Sequence, residues 1–383
     1  MNERYYSLDV FRGATVALMI LVNNPGSWAN IYSPLAHAKW HGATPTDLVF
    51  PFFLFAVGNA MAFVMPRFKE RGNQYFFLKV CKRALLIFAI GLFLNWSPFV
   101  KWDGENLVAK TWENIRILGV LQRIAIAYLF ASFLCYFLSA KWVLISSIII
   151  LLIYWGLSWM FGIPPDPYSL TGFFGNNIDI AILGEKHMYK GEGIIFEPEG
   201  LVSTLPAIVQ VVGGYLAGKY IKETGKTFNM LSHLLLVGVL LAVIAYGWHF
   251  FFPINKKIWT SSYVVFTTGL AMLTLAGFIY LLEFKNARGA WSKFFDVFGK
   301  NPLFIFVLSG FLPRVLALIR WVDKTDEEGK PVYISALPWF YQHICKPLFV
   351  SLKAGSLLYA LCMIVFYWLI VFLLDKKRIY IKV

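Results

Sequence analysis

The chain reads as an all-α polytopic membrane protein of about ten transmembrane helices, and three features lead there. Of its 383 residues, 58% are hydrophobic and only 15% are charged, with a mean hydropathy of +0.63. Apolar windows recur along the whole length at about the 20 residues that a spanning helix requires. Lysine and arginine fall alternately between those windows, which is the asymmetry expected when membrane spans are correctly counted.

The windows lie near 8–32, 47–65, 84–100, 117–139, 142–162, 203–218, 231–252, 259–282, 302–319 and 354–374. In the first, the apolar run from Gly13 to Val22 is too short to cross alone, and Asn23-Asn24-Pro25-Gly26 breaks it. Its outer half must then be irregular, and such backbone survives at membrane depth only against protein or a water-filled cavity. Residues Asn23 to Thr46 therefore read as a cavity wall. The second window opens at Thr46-Asp47, a plain helix N-cap signal. The fourth encloses Arg123, an ionisable residue inside an apolar span, where such groups are usually paired or functional. Asp47, Glu197 and Glu199 are its candidate partners, and a structural ion pair is the alternative to a role at a site. Between the fifth and sixth windows, 162–201 carries Pro164, Pro165 and Pro167 and is long enough for a lid. With no low-complexity region and no convincing internal repeat, 1–383 is read as a single domain.

With the N-terminus inside, the inner segments carry 20 of the 35 Lys and Arg, from Arg4 to Lys382, against seven acidic residues. The outer loops carry 12 basic and thirteen acidic residues. Both termini are then cytoplasmic, and the loop containing His37 faces out. The net charge of +14 is thus a topology signal, and no nucleic-acid partner is expected. The first apolar run has no clean cleavage site and reads as a retained helix. Cys81, Cys135, Cys345 and Cys362 form no C-x-x-C pair, so neither disulfides nor zinc are expected. His37 and His41 are four apart, but Gly42 and Pro45 argue against the helix that a metal pair would need.

Several motifs stand in one order along the chain: Ser-Leu-Asp-Val-Phe-Arg-Gly at 7–13, Val22-Asn23, His-Ala-Lys-Trp-His-Gly at 37–42, and Thr-Asp-Leu-Val-Phe-Pro at 46–51. They continue with Gly-Val-Leu-Gln-Arg at 119–123, His187-Met188-Tyr189, Glu-Pro-Glu-Gly-Leu at 197–201, Pro-Ile-Asn-Lys-Lys at 253–257 with Trp259, and Gly299-Lys300-Asn301-Pro302. With these the chain resembles the heparan-α-glucosaminide N-acetyltransferases. The resemblance implies an acyltransferase that takes acetyl from cytosolic acetyl-CoA and delivers it to the amine of a terminal glucosamine across the membrane. It maps the catalytic histidine to His37 and the active-site asparagine to Asn23. It also implies a bacterial-type member, integral to the inner membrane, without the luminal domain that precedes this core in lysosomal members. Dimers are common in the family, so a homodimer is a further implication.

The chemistry of the residues agrees. A neutral imidazole with a pKa near ~6.5 can take the proton of an attacking ammonium, which is the role read for His37. An amide N–H₂ in a poorly hydrated site can stabilise the developing oxyanion by about 3 kcal/mol, the role read for Asn23. Acetylation of His37 itself, followed by relief by the sugar amine, is the alternative. Asp47 either orients His37 or caps its helix. For the CoA phosphates, Arg12, Lys79, Lys82, Arg83 and Lys300 are candidates, although positive-inside charge accounts for them equally. Glu197, Glu199, Asn255, Arg123 and His41 are candidate acceptor ligands, with solvated loop charge as the alternative. Asp179 is read mainly as loop charge. Broken helices with intramembrane polar groups also describe solute carriers, so a secondary transporter is the rival class.

Overall fold

A computed structural model describes residues 5–381. Arg4 and Lys382, counted above with the inner charges, lie outside the described residues. The helices, in order, are α1 (Tyr6–Asn23), α2 (Val49–Arg71), α3 (Asn73–Trp96), α4 (Val120–Phe137), α5 (Ala140–Phe161), α6 (Gly175–Leu183) and α7 (Thr204–Thr224). There follow α8 (Phe228–His249), α9 (Ser261–Ile279), α10 (Ala290–Lys300), α11 (Pro302–Leu316), α12 (Ala336–Phe340) and α13 (Leu352–Lys376). Two antiparallel hairpins, β1 (Val100–Asp103) with β2 (Asn106–Ala109) and β3 (Arg320–Thr325) with β4 (Pro331–Ser335), stand between helices.

Each of the ten apolar windows coincides with a helix of at least 15 residues. Among the described residues, seven helices are long and apolar enough to cross a membrane, and α10 with α11, bent by 79°, make an eighth if taken as one span. The other two windows belong to α3, diluted by Lys79, Lys82 and Arg83, and to α7, whose Ala207, Val211, Val212 and Ala217 are covered by protein. The first window ends early, as its Asn-Asn-Pro-Gly run requires: α1 stops at Asn23, and the Asn24 side chain donates back to Ile20 O at 2.9 Å. Pro25 offers no N–H and disfavours a helical residue before it. The hairpins had no counterpart in the apolar pattern, because their residues alternate only partly and lie mostly exposed.

Helices pack most closely where glycine removes a side chain. Gly58 of α2 and Gly214 of α7 face each other's neighbours so tightly that an added Cβ would meet Val211 O at 1.8 Å and Phe55 O at 2.0 Å. Gly13 of α1 and Gly299 of α10 do the same, with Phe295 O at 1.7 Å and Asp9 O at 2.0 Å. Between apolar helices in lipid there is little hydrophobic drive, so close backbone approach is what dispersion and packing require. These contacts fix α7 against α2 and α10 against α1.

Short connections place the α2–α3, α4–α5 and α7–α8 turns at one end, where Tyr5 OH donates to Ile221 O and Tyr136 OH to Asn73 Oδ1. Lys69, Arg71, Lys141, Lys219, Lys222 and Lys226 gather there, and this is termed the basic end below. The loops that follow α1, α3, α5 and α8 lie at the opposite end. Gly58→Ala is expected to lower stability in detergent by about 1–3 kcal/mol through overpacking. Gly277→Ala, whose Cβ meets nothing within 4 Å, is expected to leave it unchanged; thermal melts of both variants check this.

Candidate active site

The loop between α1 and α2 is built around the carboxylate of Asp47, which is 1% exposed. Its Oδ2 accepts from Ala38 N, Thr44 N and Thr44 Oγ1 at 3.0, 3.0 and 3.1 Å. Its Oδ1 stands 2.6 Å from His37 Nδ1. The N-cap and the histidine-orienting readings of Asp47 are therefore both satisfied, one on each oxygen. Thr44 and Asp47 form the capping box of the short turn Pro45–Leu48 that leads into α2. Facing an ionised carboxylate, Nδ1 is the protonated nitrogen, which leaves the lone pair on Nε2. Tyr263 on α9 donates to Asp47 O and ties this arrangement to the helix bundle.

A second loop brings a lysine to the same place. Gly42 N donates to Ile254 O at 2.7 Å, in a backbone bridge that pins 37–44 against 254–256. Gly42 has φ +98°, a left-handed conformation that glycine adopts without penalty. Asn255, fully buried, accepts from Lys257 N and Ile258 N at 2.7 and 3.1 Å, and its Nδ2 lies 3.4 Å from His41 Nδ1. The turn so fixed carries Lys256, whose Nζ is 3.5 Å from Asp47 Oδ1 and 3.2 Å from His37 Nδ1. Removal from water holds the Lys256 pKa below the ordinary lysine value, with Asp47 and Glu199 opposing. Asn255 and His41, read as acceptor ligands, lie in contact where the two loops meet.

His37, Asn23, Glu199 and Lys256 line one cavity of about 220 Å³. It adjoins two others. Toward the basic end, Phe53 and Ile124 are shared with a cavity of about 120 Å³ that Arg12 and Arg83 border. Toward the opposite end, Met19, Asn23, Val120 and Phe306 are shared with a polar cavity of about 380 Å³ that Asn95, Arg116, Gln122 and Arg314 border. Cavities in series thus approach His37 from both ends of the helices, and Asn23 stands where two of them meet. A larger cavity of about 430 Å³ between α5, α7, α8 and α9 is almost wholly apolar and holds none of these groups.

Arginine and carboxylate positions differ from expectation in their pairing. Arg116, unremarked in the sequence, takes both Glu197 and Glu199. Burial alone would lower the Arg116 pKa, but Glu199 and Glu197 raise it above the ordinary value. Burial pushes Glu197 up, while at Glu199 the nearby Arg116 and Arg123 outweigh burial and hold it low. Arg123, for which these acids were the candidate partners, is instead fully buried, donates to Gly200 O and Ser203 Oγ, and stacks 5.0 Å from the Trp259 ring centre. It shapes the segment that presents Glu199 without lining the His37 cavity.

Of the residues read for an anionic cofactor, Arg12 and Arg83 border the 120 Å³ cavity. Lys79 and Lys82 are exposed and do not line it. Lys300 is held by Asp296 at 2.8 Å and Asp375 at 3.1 Å, so its charge is already balanced. Arg12 donates to Gly299 O at 3.1 Å. The residues that sequence reasoning missed are Lys256 and Arg116. Lys256 lay inside the quoted Pro-Ile-Asn-Lys-Lys motif, which was the available signal, whereas nothing local distinguishes Arg116 from other outer-loop basic residues.

A family model described as the catalytic part of heparan-alpha-glucosaminide N-acetyltransferase matches residues 4–174. The human protein of that name is 28% identical over 363 residues, covering 80% of this chain and 53% of its own. The mouse protein of the same name is 26% identical over 361 residues with the same coverage. The chain spans about half the length of these relatives.

The loop that carries Glu197 and Glu199 is itself braced by a titrating group. Asp179 of α6 is buried and accepts from Leu201 N at 2.8 Å, and burial lifts its pKa to about 7. A carboxyl raised in this way contributes stability that is complete below its unfolded pKa and is lost as pH rises through about 7. Between pH 6 and 8 the wild type should lose about 1 kcal/mol relative to Asp179→Asn, which keeps the acceptor oxygen but not the titration. Melting temperatures of both proteins across that range test it.

Proposed function

We propose that the chain is a member of the heparan-alpha-glucosaminide N-acetyltransferase family, whose catalytic model it matches over residues 4–174, and that it moves acetyl from acetyl-CoA to the amine of a terminal glucosamine-type sugar. The observation that carries the reading is a histidine, oriented by a buried carboxylate, in a cavity approached from both ends of the helix bundle. In this reading the basic end faces the cytosol, both termini lie there, and the His37 loop faces the outer compartment. Residues 1–383 act as one domain in which 162–201 serves as a lid, since Glu199 from that segment reaches the His37 cavity.

Acetyl-CoA is too charged to cross lipid, so its nucleotide end stays at the cytosolic mouth beside Arg12 and Arg83. The thin pantetheine arm extends through the 120 Å³ cavity and presents its thioester near His37. The acceptor enters through the larger polar cavity, which offers amide, hydroxyl and guanidinium partners to a sugar. Its ammonium loses one proton to solvent, the free amine attacks the thioester carbonyl, and His37 Nε2 takes the second proton from the attacking nitrogen. Asp47 stabilises the imidazolium that forms, and it needs no movement to do so. The Asn23 amide offers N–H donors to the oxyanion. The C–N bond forms, the C–S bond breaks, and the departing thiolate takes the proton from His37. Direct transfer needs no covalent enzyme intermediate and uses each of these groups once.

Purified protein with acetyl-CoA and glucosamine is expected to release CoA. His37→Ala should reduce that rate by about 10²–10⁴-fold, the usual worth of a general base, with folding intact. Asn23→Ala should cost about 10²–10³ in kcat. Uptake of unmodified sugar into sealed vesicles without acetyl-CoA, and no CoA release, would favour transport instead. Arg83→Ala should raise the KM for acetyl-CoA by about tenfold, the worth of one charge-assisted phosphate contact, and leave the KM for the sugar unchanged. Steady-state kinetics with each substrate varied in turn decide it.

A further inference from the structure

The cavity that holds His37 already contains a primary amine belonging to the protein. Lys256 lines it together with His37, Asn23 and Glu199, and its Nζ stands within 3.5 Å of both members of the His37–Asp47 pair. Its backbone cannot easily withdraw, because Asn255 closes the turn on one side and the Gly42–Ile254 hydrogen bond ties it to the histidine loop on the other. A site that deprotonates an ammonium and offers it a thioester does not distinguish the origin of that amine by chemistry. It distinguishes by position. An amine fixed in the wall meets the reagent at an effective concentration of up to roughly 10⁵ M or more, far above any dissolved acceptor.

What restrains Lys256 is its charge. Asp47 faces it and favours the ammonium, whereas removal from water favours the free amine. Lys257 next to it is a natural comparison: its Nζ pairs with Glu192 and does not line the cavity.

We propose that Lys256 is a self-acetylation site, modified when the thioester donor is bound and no acceptor occupies the cavity. The inference rests on the acetyl-transfer reading above. The Lys256 ammonium loses one proton to solvent, and its lone pair attacks the thioester carbonyl while His37 Nε2, the free nitrogen of the Asp47–His37 pair, takes the second proton. One N–C bond forms, one C–S bond breaks, and CoA leaves as a thiolate that takes the proton from the pair. The product is an amide, which is a far poorer acyl donor than a thioester, so a sugar amine does not reverse the step. The neutral side chain no longer pairs with Asp47, and the added acetyl group occupies part of the 220 Å³ in which transfer takes place. Idle donor-loaded protein thereby loses activity, and an acceptor protects it.

The test uses the purified full chain with isotope-labelled acetyl-CoA, with and without glucosamine, followed by peptide mass spectrometry. The expected result is one acetyl group per chain on Lys256, resistant to hydroxylamine, with turnover declining in step and labelling suppressed by glucosamine. Lys257 should remain unmodified, and His37→Ala should slow the labelling by roughly 10²-fold. Site mapping on the unaltered chain decides the matter without depending on any variant. CoA turnover with glucosamine while Lys256 stays unmodified overturns this proposal and leaves acetyl transfer standing. A hydroxylamine-labile acetyl on His37 with Lys256 unmodified does the same. Neither turnover nor label on any residue removes both readings together.

Discussion

Everything at this site depends on keeping one carboxylate ionised and fully satisfied at the edge of a membrane. Asp47 is buried, and a buried charge that loses its partners costs about 3–5 kcal/mol. The α1–α2 loop supplies two backbone N–H groups, a threonine hydroxyl, an imidazole and a lysine to prevent that. The same contacts that stabilise the charge also hold His37 in one tautomer and orientation. Structure and chemistry are therefore not separable here, because the helix cap and the histidine's partner are opposite oxygens of one group.

The break in α1 is what makes room for this. A helix that continued past Asn23 would satisfy its own amides and seal the bundle. Stopping at Asn23 leaves polar backbone at depth, which must find partners in protein or in a cavity. Both are present: the loop bonds internally through Asp47 and across to Ile254, and the cavities beside it are lined by Asn23, Asn95 and Gln122. Arg12 and Arg83 border the narrow cavity at the basic end, while the outer arginine Arg116 is neutralised by Glu197 and Glu199.

Much of this was legible in the residues. Apolar periodicity located each long helix, and Asn-Asn-Pro-Gly told where the first one ends, because proline and its predecessor carry their conformational limits with them. The segment after Asn23 was legible as a cavity wall because it had to be irregular, whereas His37 and Asn23 as site residues were what the family resemblance implied. Partnerships across long separations were not. Lys256 meets His37 only because Gly42 bonds to Ile254, and Arg116 rather than Arg123 reaches Glu197, a matter of helix phase and loop path. The Asn255–His41 and Lys300–Asp375 contacts were hidden for the same reason, since each joins residues distant in sequence. Local pattern reports what a residue can do, and packing decides what is left for it to do.

The central claim is spatial: a donor entering from the basic end reaches the imidazole that Asp47 orients. The most direct measurement is a cryo-EM map of the protein with CoA bound. The account predicts the nucleotide beside Arg12 and Arg83 and the thiol sulfur in the His37 cavity, close to the ring. A thiol that ends outside that cavity, or a nucleotide seated at the opposite end of the bundle, contradicts it.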